Sequence, residues 1–144
     1  MKIRLMKQTL LLSVWLFIGL SVHAQTHEVH AIDSKLNKAL EQDLSTADQL
    51  GVIASAAEEW KQLMLTSYGE LEKQLPADVG TALKQSQRTW DLFYRQERTI
   101  ITRLYENTEG TMFKPLEALD KMRLLKDRAL QLDALLSAWQ MRNQ

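Results

Sequence analysis

The chain has 144 residues, no cysteine, and 18 basic against 18 acidic side chains. That length suits one ordinary domain with a single hydrophobic core, and the missing cysteine excludes disulfides and thiol chemistry, so stability must come from packing. The balanced charge excludes the strong basic excess of a nucleic-acid binder, and it hides an asymmetry: residues 25–78 carry 4 basic and 10 acidic groups, residues 79–144 carry 11 and 8.

The chain opens on "MKIRLMK", with Lys2, Arg4 and Lys7, followed by the apolar stretch "TLLLSVWLFIGL" (9–20) and then "SVHA", which puts Val22 and Ala24 at the −3 and −1 positions. This is the pattern of a secretory signal peptide (1–24) cut between Ala24 and Gln25. The apolar stretch falls short of the roughly 20 residues of a membrane span. The expected mature chain, 25–144, carries 15 basic and 18 acidic groups, a charge of −3, and is periplasmic or secreted with no membrane span after cleavage. Residues 25–32 read as a loose leader and 33–144 as one helical domain.

Asp33 or Ser34 is placed to cap a first helix, in which Leu36, Leu40 and Leu44 recur every four residues. "STADQ" (45–49) offers a break and a second cap. A long helix then carries Leu50, Ile53, Ala57, Trp60, Met64, Tyr68, Leu71 and Leu75 at spacings of three and four, until Pro76 ends it. Asp78 is the expected cap of a third helix, running to about Asn107 with the stripe Val79, Leu83, Ser86, Trp90, Phe93/Tyr94, Glu97, Ile101 and Leu104. Gly110 marks its end and Thr111 a new cap. Pro115 lies in or just before the first turn of a last helix, with Ala118, Met122, Leu125, Ala129, Leu132, Leu136 and Trp139 on one face. No segment alternates with period two. The fold class is therefore all-α, a small antiparallel bundle of three to four helices with short connections.

Catalytic patterns are missing. There is no phosphate loop, no Gly-x-Ser-x-Gly and no His-Glu-x-x-His. Glu58 and Glu59 point apart on a helix, as do Glu70 and Glu72. The expectation is a protein that is not an enzyme, with no cofactor and no assigned metal. One metal chemistry is open to the sequence: a new N-terminus at Gln25-Thr26-His27 would offer an amine, two amide nitrogens and an imidazole to Cu(II). Cyclisation of an N-terminal Gln blocks that amine.

"SQRTWDLFYRQERT" (86–99) concentrates aromatic and arginine residues. On a helix Ser86, Trp90, Phe93, Glu97 and Ile101 share a face, and Trp90 and Tyr94 are neighbours four apart. Core packing is the default for such aromatics. Arg88, Arg95 and Thr99 fall on another side, edged by Asp91 and Gln96, and Arg88, Asp91 and Arg95 are the candidate partner-binding residues. Gln87 lies near the buried stripe and needs a hydrogen-bond partner on a neighbouring helix.

"LKQSQRTWDLFYRQERT" (83–99) resembles the signature of the LprI-like lysozyme-inhibitor family, small exported helical domains with an Ala/Ser-Gln-Arg-x-Trp segment, an aromatic-Arg-Asp segment and then a cysteine. "EEWKQLMLTSYGELEKQLPADVGTALKQSQRTW" (58–90) is similar to the family's preceding helix and Leu-Pro turn. "GTMFKPLEALDKMRLLKDRALQLDALL" (110–136) is similar to its closing half. The resemblance covers about residues 55–136 and leaves 25–54 outside. It makes Gln87, Arg88, Trp90, Tyr94 and Arg128 family-motif positions of mainly structural use. Where the family has aromatic-Arg-Asp, this chain reads Phe93-Tyr94-Arg95 or Tyr94-Arg95-Gln96. The family's half-cystines would fall near Arg98 and Asp120, and an ion pair between those two is the expected replacement. If exposed it would contribute under about 1 kcal/mol, against about 2–4 kcal/mol for a disulfide. The resemblance implies a protein that binds lysozyme, itself basic, or another basic envelope protein, and blocks it without chemistry. The other reading is a structural or interaction module of the cell envelope, of unspecified oligomeric state.

Overall fold

The computed structural model describes residues 30–106 and 108–143. The signal-peptide reading and the copper reading at His27 lie outside the described residues. Four helices form an all-α bundle: α1 (Ala31–Leu40), α2 (Thr46–Gln74), α3 (Ala77–Glu106) and α4 (Phe113–Arg142).

The breaks fall where local chemistry puts them. Ser45 caps α2, its hydroxyl accepting from the Asp48 amide. Leu75, ahead of Pro76, is extended and ends α2. Asp78 lies within the first turn of α3 rather than before it. Gly110 adopts a left-handed φ of 101° in the turn before α4. Two expected caps are corrected. Met112, not Thr111, precedes α4, and it makes no side-chain cap bond. His30, not Asp33 or Ser34, caps α1: its Nδ1 accepts from the Ile32 amide while its ring lies 4.5 Å from that of Trp60. Asp33 is drawn away to Lys126 on α4, 2.6 Å distant. Ala31 and Ile32, read as leader, are therefore the first residues of α1.

Helices consecutive in sequence run antiparallel, so α2 and α4, separated by α3, come together parallel. Lys126 lies over the Trp60 ring, and two turns further along both helices Ser67 donates to Asp133. The α2–α4 contact is the heart of the molecule. Its buried residues are Ile53, Ala56, Trp60, Met64 and Leu71 on one side and Met122, Leu125, Ala129 and Leu132 on the other, with Leu36 of α1 added. Ala56, Ser67 and Ala129 keep the helices close, since the side chains at the contact set the separation.

α3 sits on this pair as a less embedded third helix. Its one buried residue is Leu83. Trp90 and Tyr94 are half-buried against the core. Phe93 is not: it is 46% exposed, because each residue turns about 100° from the last and Tyr94 takes the inward position. Val79 and Leu104, expected in the same stripe, are also exposed.

Candidate functional site

The residues of the 86–99 stretch meet α4 at Arg128, 41 positions further along the chain than Gln87. Arg128 is 4% exposed. Its Nε and one terminal nitrogen both donate to Gln87 Oε1, at 3.1 and 3.0 Å. The same terminal nitrogen reaches Ser86 Oγ at 3.3 Å, and the other donates to Gln131 Oε1 at 2.6 Å. Gln87 is fixed in turn by its Nε2, which donates to Asp91 Oδ1. Its amide has only one sensible orientation, because arginine has no acceptor and an ionised aspartate no donor.

An aromatic ladder continues the network. The Arg128 guanidinium lies 5.9 Å from the centre of the Trp90 ring. Trp90 stacks on Tyr94 at 5.0 Å, and Arg98 covers the far side of the pair 5.5 Å from the Tyr94 ring. Burial pushes the Arg128 guanidinium down from its ordinary value, and the Asp91 charge opposes this. It stays cationic, since arginine does not deprotonate in proteins. Among the described residues no carboxylate forms a salt bridge with it.

Of the motif positions, Gln87, Trp90, Tyr94 and Arg128 are thus joined, while Arg88 stands apart. Arg88 and Arg95 are exposed. Arg88 lines an open groove of about 430 Å³ between α2 and α3 with Tyr68, Glu72, Lys84 and Asp91. Arg95 Nε donates to the Asp91 backbone carbonyl. Asp91, half-buried, spends its side chain on Gln87. The expected Arg98–Asp120 ion pair is not formed. Asp120 Oδ2 accepts from the Tyr105 hydroxyl at 2.7 Å and Oδ1 pairs with Arg123 on its own helix, while Arg98 lies on Tyr94. The tie between the ends of α3 and α4 is therefore the tyrosine, not the arginine.

Sequence reasoning missed Ser86 and Gln131 as partners of Arg128, and it missed Tyr105. The Gln87–Asp91 pair was readable from its i, i+4 spacing. The rest depends on which residues of α4 face α3.

A family model described as lysozyme inhibitor LprI matches residues 37–132. The match begins inside α1, so residues 37–54, read above as lying outside the resemblance, belong to the matched region. No curated protein matches the chain. Among solved structures it is similar to an uncharacterized protein from Burkholderia thailandensis, with a TM-score of 0.70 and 29% sequence identity, over 78% of this chain and 56% of that one. The chain thus spans little more than half the length of that structure. With the match covering most of its helical residues, and with Gln87, Trp90 and Arg128 joined in one network, this chain belongs to the lysozyme inhibitor LprI family as a member without cysteine.

Proposed function

We propose that this protein is an exported, non-catalytic inhibitor that binds lysozyme and obstructs its cleft. The family match over residues 37–132 carries the reading. The charge distribution supports it. Along α2, Glu58, Glu70 and Glu72 are each paired with a lysine. Around the α1–α2 turn, Glu41 and Asp43 in the turn and Asp48 in the first turn of α2 are exposed, and none forms a salt bridge among the described residues. A turn of uncompensated carboxylates attracts a basic protein and speeds encounter.

The test is a cell-wall lysis assay with lysozyme and excess purified protein at two salt concentrations. Saturating inhibition that weakens with salt is expected, and reversing Glu41, Asp43 and Asp48 to lysine should reduce it at least tenfold. Arg88, Asp91 and Arg95 remain the second candidate surface. The arginines share the sign of lysozyme, so Arg88→Glu and Arg95→Glu should leave inhibition intact or strengthen it. No inhibition of several lysozyme types would overturn the proposal. Export is tested separately: mass spectrometry of the protein from its native host should find a chain beginning at Gln25.

A second reading has its own observation. Phe93, Ile100 and Leu104 lie along one exposed face of α3, and Leu104 is 69% exposed. An apolar stripe of that kind suits an interaction module of the cell envelope. Native mass measurement that finds an obligate assembly would favour it.

A further inference from the structure

We propose that Arg128 is the floor of a binding site for an organic carboxylate carried next to an apolar or ring-shaped body. A buried guanidinium is ordinarily held by a carboxylate, whose two oxygens match its paired donors. Here it is held by neutral groups of two kinds. Its inner edge, Nε and one terminal nitrogen, is locked by half-buried Gln87, itself locked by Asp91. Its outer edge, the two terminal nitrogens, is hydrogen-bonded by Gln131 and Ser86, both exposed.

The covering groups are easily replaced. Gln131 is a surface side chain that can swing into water, and the Ser86 contact is long, at 3.3 Å. A carboxylate taking their place would form two parallel charge-assisted bonds to the outer edge, while Gln87 keeps the guanidinium plane in position. The surroundings are built for a ligand body as well. Arg128 opens into a depression of about 460 Å³ lined by Ser86, Thr89, Trp90 and Phe93. Phe93 is exposed beside it rather than buried in the core. An apolar chain or the C–H face of a sugar ring, a few atoms from the carboxylate, would lie against Trp90 and Phe93. This site lies between α3 and α4 and does not depend on lysozyme binding through the α1–α2 turn.

Two sources supply this chemistry, the free C-terminus of a peptide and a sugar acid. The experiment titrates the full protein with two matched pairs, N-acetylphenylalanine against its amide and glucuronate against its methyl ester, following the NMR signals of the Trp90 indole and Arg128 Nε. The expected result is saturable binding by at least one acid with shifts at both groups, and at least tenfold weaker binding by its neutral partner. The pair that responds identifies the source. Gln131→Ala should tighten binding severalfold, Phe93→Ala should weaken it, and Arg128→Gln should abolish it. Should Arg128→Gln fail to fold, the acid–neutral comparison and Gln131→Ala carry the test. Equal binding of acid and neutral probes, or no shift at Arg128 Nε with any probe, would overturn the proposal.

Discussion

At the scale of single residues, Arg128 and Gln87 show how a charge is kept inside a domain without a counter-ion in contact. Gln87 Oε1 satisfies two of the donors, and its removal leaves them inside the fold without that acceptor. Gln87→Leu should therefore cost about 1–3 kcal/mol of stability, read from the midpoint of urea unfolding. A change within about 0.5 kcal/mol, typical of ordinary surface positions, would mean that solvent reaches the guanidinium. His30 combines a cap bond with a ring contact on Trp60. His30→Ala should cost about 0.5–2 kcal/mol for the cap, read from urea unfolding, with the Trp60 indole NMR signal shifting in the folded state. Tyr105 adds a pH dependence. Its hydroxyl donates to Asp120, and that hydrogen bond holds the phenol above its ordinary value. The folded value is raised over the unfolded one. The associated stability is therefore full below the unfolded value and is lost as pH rises through the folded one. An ultraviolet titration compared with that of Tyr105→Phe should show the removed phenol ionising above its ordinary value.

At the scale of elements, α3 and α4 are built on opposite plans. α4 buries Met122, Leu125, Ala129 and Leu132 in one continuous line, and Leu132 has no exposed surface. α3 touches the other helices along a narrow edge of Leu83, Gln87, Trp90 and Tyr94 and leaves Phe93, Ile100 and Leu104 in solvent. Leu132→Ala should cost about 2–5 kcal/mol, whereas Leu104→Ala should change stability by less than about 0.5 kcal/mol. Thermal unfolding of the two variants checks the contrast, and a large loss at Leu104 would show that this face is covered in solution. α4 also carries a local acid dependence. The hydrogen bond from Lys121 holds the Glu117 carboxyl below its ordinary value, with help from Lys114. A depressed carboxyl contributes stability above its unfolded value and loses it as pH falls through the folded one. Glu117→Gln should thus flatten the fall in stability on acidification, as followed by circular dichroism.

At the scale of the whole molecule, the helices, their breaks and the family were legible without coordinates. Ser45, Pro76 and Gly110 act through their own backbone neighbourhood, and three- and four-residue spacing of apolar side chains is a local property of the chain. That is why the four helices lie close to where the periodicity put them. Which face of α3 is used was not legible. Its apolar and polar residues allow more than one buried stripe, and the choice of Tyr94 over Phe93 was made by the surface that α2 and α4 present to it. The loss of Asp33 as a cap and of Asp120 as a partner for Arg98 has the same origin. Each carboxylate found a better donor brought near by packing, Lys126 in one case and Tyr105 in the other. The sequence by itself determined an all-helical domain without disulfides, its segmentation, and the motif that marks the family, because these rest on local chemistry. Only the tertiary structure decided that α2 and α4 pair in parallel and that Gln87 meets Arg128. Those contacts join residues tens of positions apart, and the fit of whole helix faces selects them.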